Sequence, residues 1–296
     1  LEDILIGDIP VGEDTLITVN RKEPISSVLK TIQTKNIRCI AVVDDEGDCL
    51  LGLVSAYDIM TYICFGAYKL EEIPDHIKAV KSLETPIEDI TRVFHEETRR
   101  IWNFSCEQPL SALFDAFSEG VHRAVLVRTG KFQMITQHDV VKYFIGQNLP
   151  EANKKLSEFG VGTADVEKLG FIESNRSALF AFRRMEIQKN TSLAVVEPDT
   201  NVVLDTISVA DVRGLNPDNL SEVLQEVPKF LEIVRGKKEE IKMVCSLDTT
   251  LSSVMKTLVD NHHKHMWVVD NSGRLIDAVS FSDIIHHCTS TNNVQQ

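Results

Sequence analysis

The sequence predicts an α+β chain made of four copies of one module, each running strand, helix, strand, strand, helix. Three observations carry this prediction. First, a run rich in Val, Ile, Leu and Ala ends four times in a small hydroxyl residue, two variable residues, an aspartate and an apolar residue. These tetrads are Ser55-Ala-Tyr-Asp58, Thr136-Gln-His-Asp139, Ser208-Val-Ala-Asp211 and Ser280-Phe-Ser-Asp283. Second, their aspartates are 81, 72 and 72 residues apart, a period that marks repeated units. Third, each tetrad follows an amphipathic helix pattern and two short β-rich runs at a nearly constant distance.

The helix pattern places apolar residues at i, i+3, i+4 and i+7, one face of a 3.6-residue turn. In module one these are Ile25, Val28, Leu29 and Ile32, and in module two Leu110, Leu113, Phe114 and Phe117. Module three has Ala178, Ala181, Phe182 and Met185; module four has Leu251, Val254, Met255 and Leu258. From the first of each set to its aspartate is 33, 29, 33 and 32 residues.

Two β-rich runs and a turn follow. Module one reads Cys39-Ile-Ala-Val-Val43, Asp44-Asp-Glu-Gly47, then Leu50-Leu-Gly-Leu-Val54. Module four reads Met266-Trp-Val-Val269, Asp270-Asn-Ser-Gly273, then Ile276-Asp-Ala-Val279. Asp, Asn and Gly tolerate the backbone angles of a tight reversal. After the aspartate the apolar pattern resumes in Ile59–Ile63, Val140–Phe144 and Ile284-Ile285, whereas Val212-Arg-Gly214 stops the third helix early. Residues 67–97, 147–165 and 215–240 are polar, contain Pro or Gly, and read as connectors.

Composition narrows the function. A chain of 296 residues, 43% hydrophobic and 25% charged, is long enough for two domains and buries ordinary cores. A formal charge of −13 opposes nucleic acid or an anionic membrane as the main partner. No apolar run approaches the roughly 18 residues of a membrane span. Six cysteines, scattered and without CxxC spacing, fit reduced thiols in a cytosolic or nuclear protein. Leu1 is not a natural start, so a trimmed N-terminus is expected, which leaves room for a lost targeting segment.

The pattern of helix, VVD-turn-strand and [ST]xxD-helix resembles the cystathionine-β-synthase (CBS) domain. Four copies over roughly residues 13–289 resemble the gamma, nucleotide-sensing subunit of AMP-activated protein kinase and its fungal and plant relatives. The resemblance implies modules paired into two tandem Bateman domains that form a flattened disc. The first pair takes 1–146 (modules about 13–66 and 98–146), the linker 147–165, and the second pair 166–296 (modules about 166–214 and 241–289). It also implies a non-catalytic regulatory subunit that needs no cofactor, binds AMP, ADP or ATP between modules, and partners a catalytic kinase subunit and a beta-type scaffold subunit.

Side-chain chemistry suits such a ligand. An aspartate at the mouth of a helix can accept two hydrogen bonds from the vicinal hydroxyls of a ribose, worth roughly 1.5–3 kcal/mol each before desolvation. The hydroxyls of Ser55, Thr136, Ser208 and Ser280 add to Asp58, Asp139, Asp211 and Asp283, and the helix start offers N–H groups. The same tetrad is also a capping box, with the hydroxyl as N-cap and the acid at the third helical position. Both readings stand at this point.

Counting back from the VVD-like triplet, Arg38, His122, Thr191 and Lys264 share one position, and Cys39, Arg123, Ser192 and His265 the next. In the gamma subunits such strand-edge cations hold phosphates, so the resemblance nominates Arg38, His122, Arg123, Lys264 and His265; a solvated strand edge is the alternative. Two features depart from the gamma pattern. Asp139 is present where a basic residue is common, and Lys264-His265 replaces His-Arg, which makes that charge pH-dependent.

Other features point to structure. Neither His262, His263 and His265 nor His286-His287 has the Cys or carboxylate spacing of a metal site. Trp267 is expected in the core, and Arg99-Arg100 and Arg183-Arg184 on solvated faces. No P-loop, nucleophile elbow or HExxH appears. The competing class is a nucleotide-insensitive scaffold or phosphatase-inhibitor-like protein, favoured by the missing basic pair of module three and the altered pair Lys264-His265 of module four. An enzyme hidden in 67–97 has little support.

Overall fold

The computed structural model describes residues 4–11, 16–37, 39–47, 49–69, 75–93, 102–128, 131–147, 149–236 and 242–290. Module one holds β1 (Thr18–Asn20), α1 (Ile25–Thr34), β2 (Cys39–Val43), β3 (Leu50–Ser55) and α2 (Ala56–Thr61), which widens into a π turn at Tyr62–Ala67. After α3 (His76–Ser82), module two has β4 (Asn103–Ser105), α4 (Ser111–Ser118), β5 (Arg123–Arg128), β6 (Lys131–Thr136) and α5 (Gln137–Ile145). Module three has β7 (Phe171–Glu173), α6 (Ala178–Gln188), β8 (Ser192–Val196), β9 (Val203–Ser208) and a 3-10 turn, Val209–Gly214. After α7 (Val227–Arg235), module four has β10 (Val244–Cys245), α8 (Leu251–Asp260), β11 (His265–Val269), β12 (Leu275–Ser280) and α9 (Phe281–Ser290).

Every module builds the same three-stranded sheet. Its first strand runs parallel to the second, and the second antiparallel to the third. The helix between the first two strands is the crossover that a parallel pair requires. All four predicted apolar sets are buried, from Ile25 to Leu258. Removing such a side chain from water contributes about 1.5–3 kcal/mol. Gly47 (φ 81°) and Gly273 (φ 78°) occupy the left-handed region in the two hairpin turns, which explains a glycine at each. Trp267 is buried as expected, and the third module's helix does end early.

Connector backbone seals the starts of these helices. Ile25 N–H donates to Thr85 O, Ala178 N–H to Gln225 O, Leu110 N–H to Ile4 O and Leu251 N–H to Lys154 O. Each bond satisfies an amide that the helix itself leaves unpaired.

The chain forms two compact units. One unit comprises 17–101 and 170–242, hence modules one and three; the other comprises 1–16, 102–169 and 243–296, hence modules two and four. Side chains between helices explain this grouping. In the first unit Thr61 Oγ1 donates to Glu186 Oε2 (3.0 Å) and Tyr57 Oη to Met185 O (3.3 Å). Arg183, expected in solvent, instead donates to Cys64 O (3.1 Å) and Tyr68 O (2.7 Å) and closes the end of the π turn. In the second unit Gln137 Nε2 donates to Ser282 Oγ (2.9 Å), and the His138 ring stacks on His262 with centroids 5.1 Å apart.

Candidate functional site

The tetrads fold locally in one way. Their aspartates sit at the third helical position, where the backbone brings a short carboxylate back over the N-cap. In module one Asp58 Oδ2 accepts from Ser55 N (2.8 Å) and Ser55 Oγ (2.7 Å). Asp139 Oδ2 accepts from Thr136 N (2.8 Å) and Oγ1 (2.6 Å), and Asp211 Oδ2 from Ser208 N (2.7 Å) and Oγ (3.2 Å). Asp283 Oδ2 accepts from Ser280 N (2.8 Å) and Oγ (2.6 Å). All four are therefore capping boxes, and one carboxylate oxygen of each is committed to its own helix.

Exposure separates them. Asp58 is 0% exposed, closed to solvent inside the unit of modules one and three. Asp211, with 8% of its side chain exposed, is held by Arg235, whose Nε donates to Oδ1 at 2.8 Å and whose Nη2 donates to Oδ2 at 3.1 Å. Asp139 keeps 22% exposure, and Asp283 lies in solvent. Of the four tetrad aspartates, Asp139 and Asp283 are thus the accessible ones, both in the unit of modules two and four. Asp58 and Ser55 are buried by the α2 packing that also buries Tyr57 and Ile59.

The strand-edge alignment has a structural basis. Across each hairpin the residue opposite the tetrad hydroxyl is the aligned one: Cys39 faces Ser55, Arg123 faces Thr136, Ser192 faces Ser208 and His265 faces Ser280. The preceding residue's carbonyl accepts the first helical amide: His122 O from Gln137 N (3.1 Å), Thr191 O from Val209 N (3.0 Å) and Lys264 O from Phe281 N (3.2 Å). Strand edge and helix mouth are thereby fixed to each other. Arg38 lies outside the described residues.

His265 is half-buried at the strand edge, and its pKa is pulled down to about 3, chiefly by burial and then by Lys264, His122 and His263. The structure thus brings His122 and Lys264 within electrostatic reach of His265. Burial favours the neutral form of this ring, which stacks flat beside Trp267 (centroids 5.9 Å apart, planes 9° apart). Cationic character at this edge comes from Lys264. Among the described residues no group of three His, Cys, Asp or Glu side chains is placed to hold a metal ion.

Sequence reasoning missed Arg235, Asp205 and Arg213. Arg235 ends α7 and also donates from Nη1 to Asp205 Oδ1 (3.1 Å) and from Nη2 to Thr206 O (2.6 Å). Burial works against its charge, but Asp211 and Asp205 outweigh burial and raise its pKa. Arg213 donates to Ala210 O (3.0 Å) and Asn36 Oδ1 (2.7 Å). Gln33, Asn36, Asp211, Arg213 and Arg235 line an open cavity of about 220 Å³, smaller than the roughly 300–1,000 Å³ that encloses a drug-sized ligand. The available signal was an aspartate three residues before Ser208 and an arginine in the following connector.

Comparison with known proteins places these features. The CBS domain profile matches residues 6–64 and 239–290. The chain is 21% identical over 98% of its length to the SNF1-related protein kinase regulatory subunit gamma-like PV42a of Arabidopsis thaliana, covering 96% of that protein. It is 20% identical to the gamma-like PV42b of the same plant, over 95% of this chain and 93% of that one. Among solved structures it is similar to protein MJ1225 of Methanocaldococcus jannaschii, a proposed archaeal homolog of g-AMPK, with a TM-score of 0.77 and 15% identity over 96% of this chain and 99% of that one. A conserved protein of Pyrococcus horikoshii gives a TM-score of 0.57 and 13% identity over 97% and 100%. These likenesses establish the four-repeat CBS fold.

Proposed function

We propose that this four-repeat CBS chain is a non-catalytic regulatory subunit that binds adenine nucleotide and acts on a protein kinase complex. The observation that carries the reading is module four's helix mouth. There an exposed Asp283 is positioned by Ser280, and Lys264 and His265 lie at the strand edge opposite. The ribose hydroxyls would meet Asp283, and the phosphate of AMP, ADP or ATP would meet Lys264 and the nearby His122. Asp139 and Thr136 form the second candidate mouth, with Arg123 opposite. The likeness to gamma-like kinase subunits supports a catalytic kinase subunit and a beta-type scaffold as partners. A nucleotide transmits a signal only by binding two arrangements of the chain with different affinity.

Isothermal titration of the whole chain with AMP, ADP and ATP tests this. Saturable heat with a Kd below about 1 mM, an affinity of roughly 4 kcal/mol, is expected. No heat at millimolar nucleotide would favour a second reading, a scaffold that binds partners through its surface. That reading has its own support in the closed Asp58 and the Arg235-bound Asp211.

A further inference from the structure

We infer that module three is occupied from within: Arg235 supplies to Asp211 the hydrogen-bond donors that an external diol would bring, and withholds this module from ligand while α7 is docked. One guanidinium satisfies four acceptors, namely both oxygens of Asp211, Asp205 Oδ1 and Thr206 O. It is 11% exposed and buried between β9 and the tetrad turn.

Three independent features show that the fit is built in. Asp205 stands three residues before the tetrad hydroxyl, where the other modules have Gly52, Gln133 and Asp277. Asp277 uses this position in the same manner, since its Oδ2 accepts from the connector amide of Gly162 at 2.6 Å. The position therefore anchors a connector, and in module three the anchored group is an arginine. The backbone is shaped for it as well. A Cβ on Gly214 would lie 2.5 Å from Val234 O, so the turn admits α7 at this distance only with glycine there. Finally, α7 is held by its buried Val227, Phe230 and Leu231, which join the same core as Val212. The strand edge of module three offers Thr191 and Ser192 rather than a cation, so its positive charge is delivered by the connector.

Carboxyl footprinting of the whole chain, with carbodiimide and glycine ethyl ester read by mass spectrometry, tests the inference without any nucleotide. In the wild type Asp283 should label and Asp211 should be protected at least tenfold. Arg235→Gln should raise Asp211 labelling toward that of Asp283, and Arg235→Lys, which keeps the charge but lacks the fork, should fall between. Asp211 labelling as fast as Asp283 in the wild type, or remaining protected in a folded Arg235→Gln chain, would overturn the inference. Should Arg235→Gln fail to fold, Arg235→Lys decides alone: unchanged protection of Asp211 counts against the inference.

The consequence for ligand rests on the nucleotide reading and has a separate readout. By native mass spectrometry Arg235→Gln should take up one more AMP than the wild type, and Arg235→Gln/Asp211→Asn should lose it again. Wild type that binds AMP while the variant gains none refutes occlusion by Arg235 and leaves the nucleotide reading standing. Opened Asp211 with no AMP on either protein refutes the nucleotide reading and leaves the internal occupant standing.

Discussion

Ser280 donates to Asp283 twice, through its amide at 2.8 Å and its hydroxyl at 2.6 Å, and both bonds end on the same oxygen, Oδ2. Capping the helix and presenting a carboxylate to solvent are therefore compatible roles for one side chain. What distinguishes the four tetrads is not this local geometry, which they share, but what covers it.

Asp58 separates the two roles by experiment. Its carboxylate is buried and bonded to Ser55, so Asp58→Asn should weaken an acceptor without opening any surface. Urea denaturation should show a loss of about 1–3 kcal/mol, the cost of a compromised buried hydrogen bond. AMP affinity should change less than twofold; a tenfold loss with intact stability would mean that Asp58 is reached by ligand.

Arg235 and Asp211 form an ion pair that is nearly out of solvent. Removing one member leaves an uncompensated charge, so Arg235→Met should cost about 3–5 kcal/mol. Arg235→Met/Asp211→Asn should recover part of that loss, because the second change removes the orphaned carboxylate. Urea midpoints of the four proteins in the cycle measure the coupling. Additive losses would show that the pair contributes no interaction of its own.

His265 gives the chain a pH dependence of known sign. Its pKa in the folded chain lies far below the ordinary 6.5, so the unfolded chain takes up a proton that the folded chain refuses. The contribution is complete above about pH 6.5 and is lost progressively as pH falls toward 3. His265→Phe, which retains a ring beside Trp267, should flatten the decline of stability between pH 6.5 and 4.5. An equal slope in wild type and variant would place the titrating group elsewhere.

Much of the fold was legible because periodicity is a local property. The apolar faces Ile25–Ile32 and Leu251–Leu258, the Asp-Asn-Gly turns and the early stop at Gly214 each follow from residues next to one another in sequence. The grouping of module one with three, and of two with four, was not legible. It depends on which helix faces meet, through contacts such as Thr61 with Glu186 and Gln137 with Ser282, and no spacing encodes those. The site was readable to the same depth. The register that sets Arg123 opposite Thr136 and His265 opposite Ser280 was implicit in the alignment. The burial of Asp58 and the reach of Arg235, 24 residues beyond Asp211, are tertiary facts that four nearly identical tetrads conceal.

Isothermal titration of AMP into the wild type and Asp283→Ala tests the central claim most directly. Losing charged hydrogen bonds to a ribose should weaken binding tenfold or more, about 1.4 kcal/mol or above, while the lost cap lowers stability by only about 1 kcal/mol. Undiminished AMP affinity in a chain whose stability has fallen would make Asp283 a helix cap and nothing further.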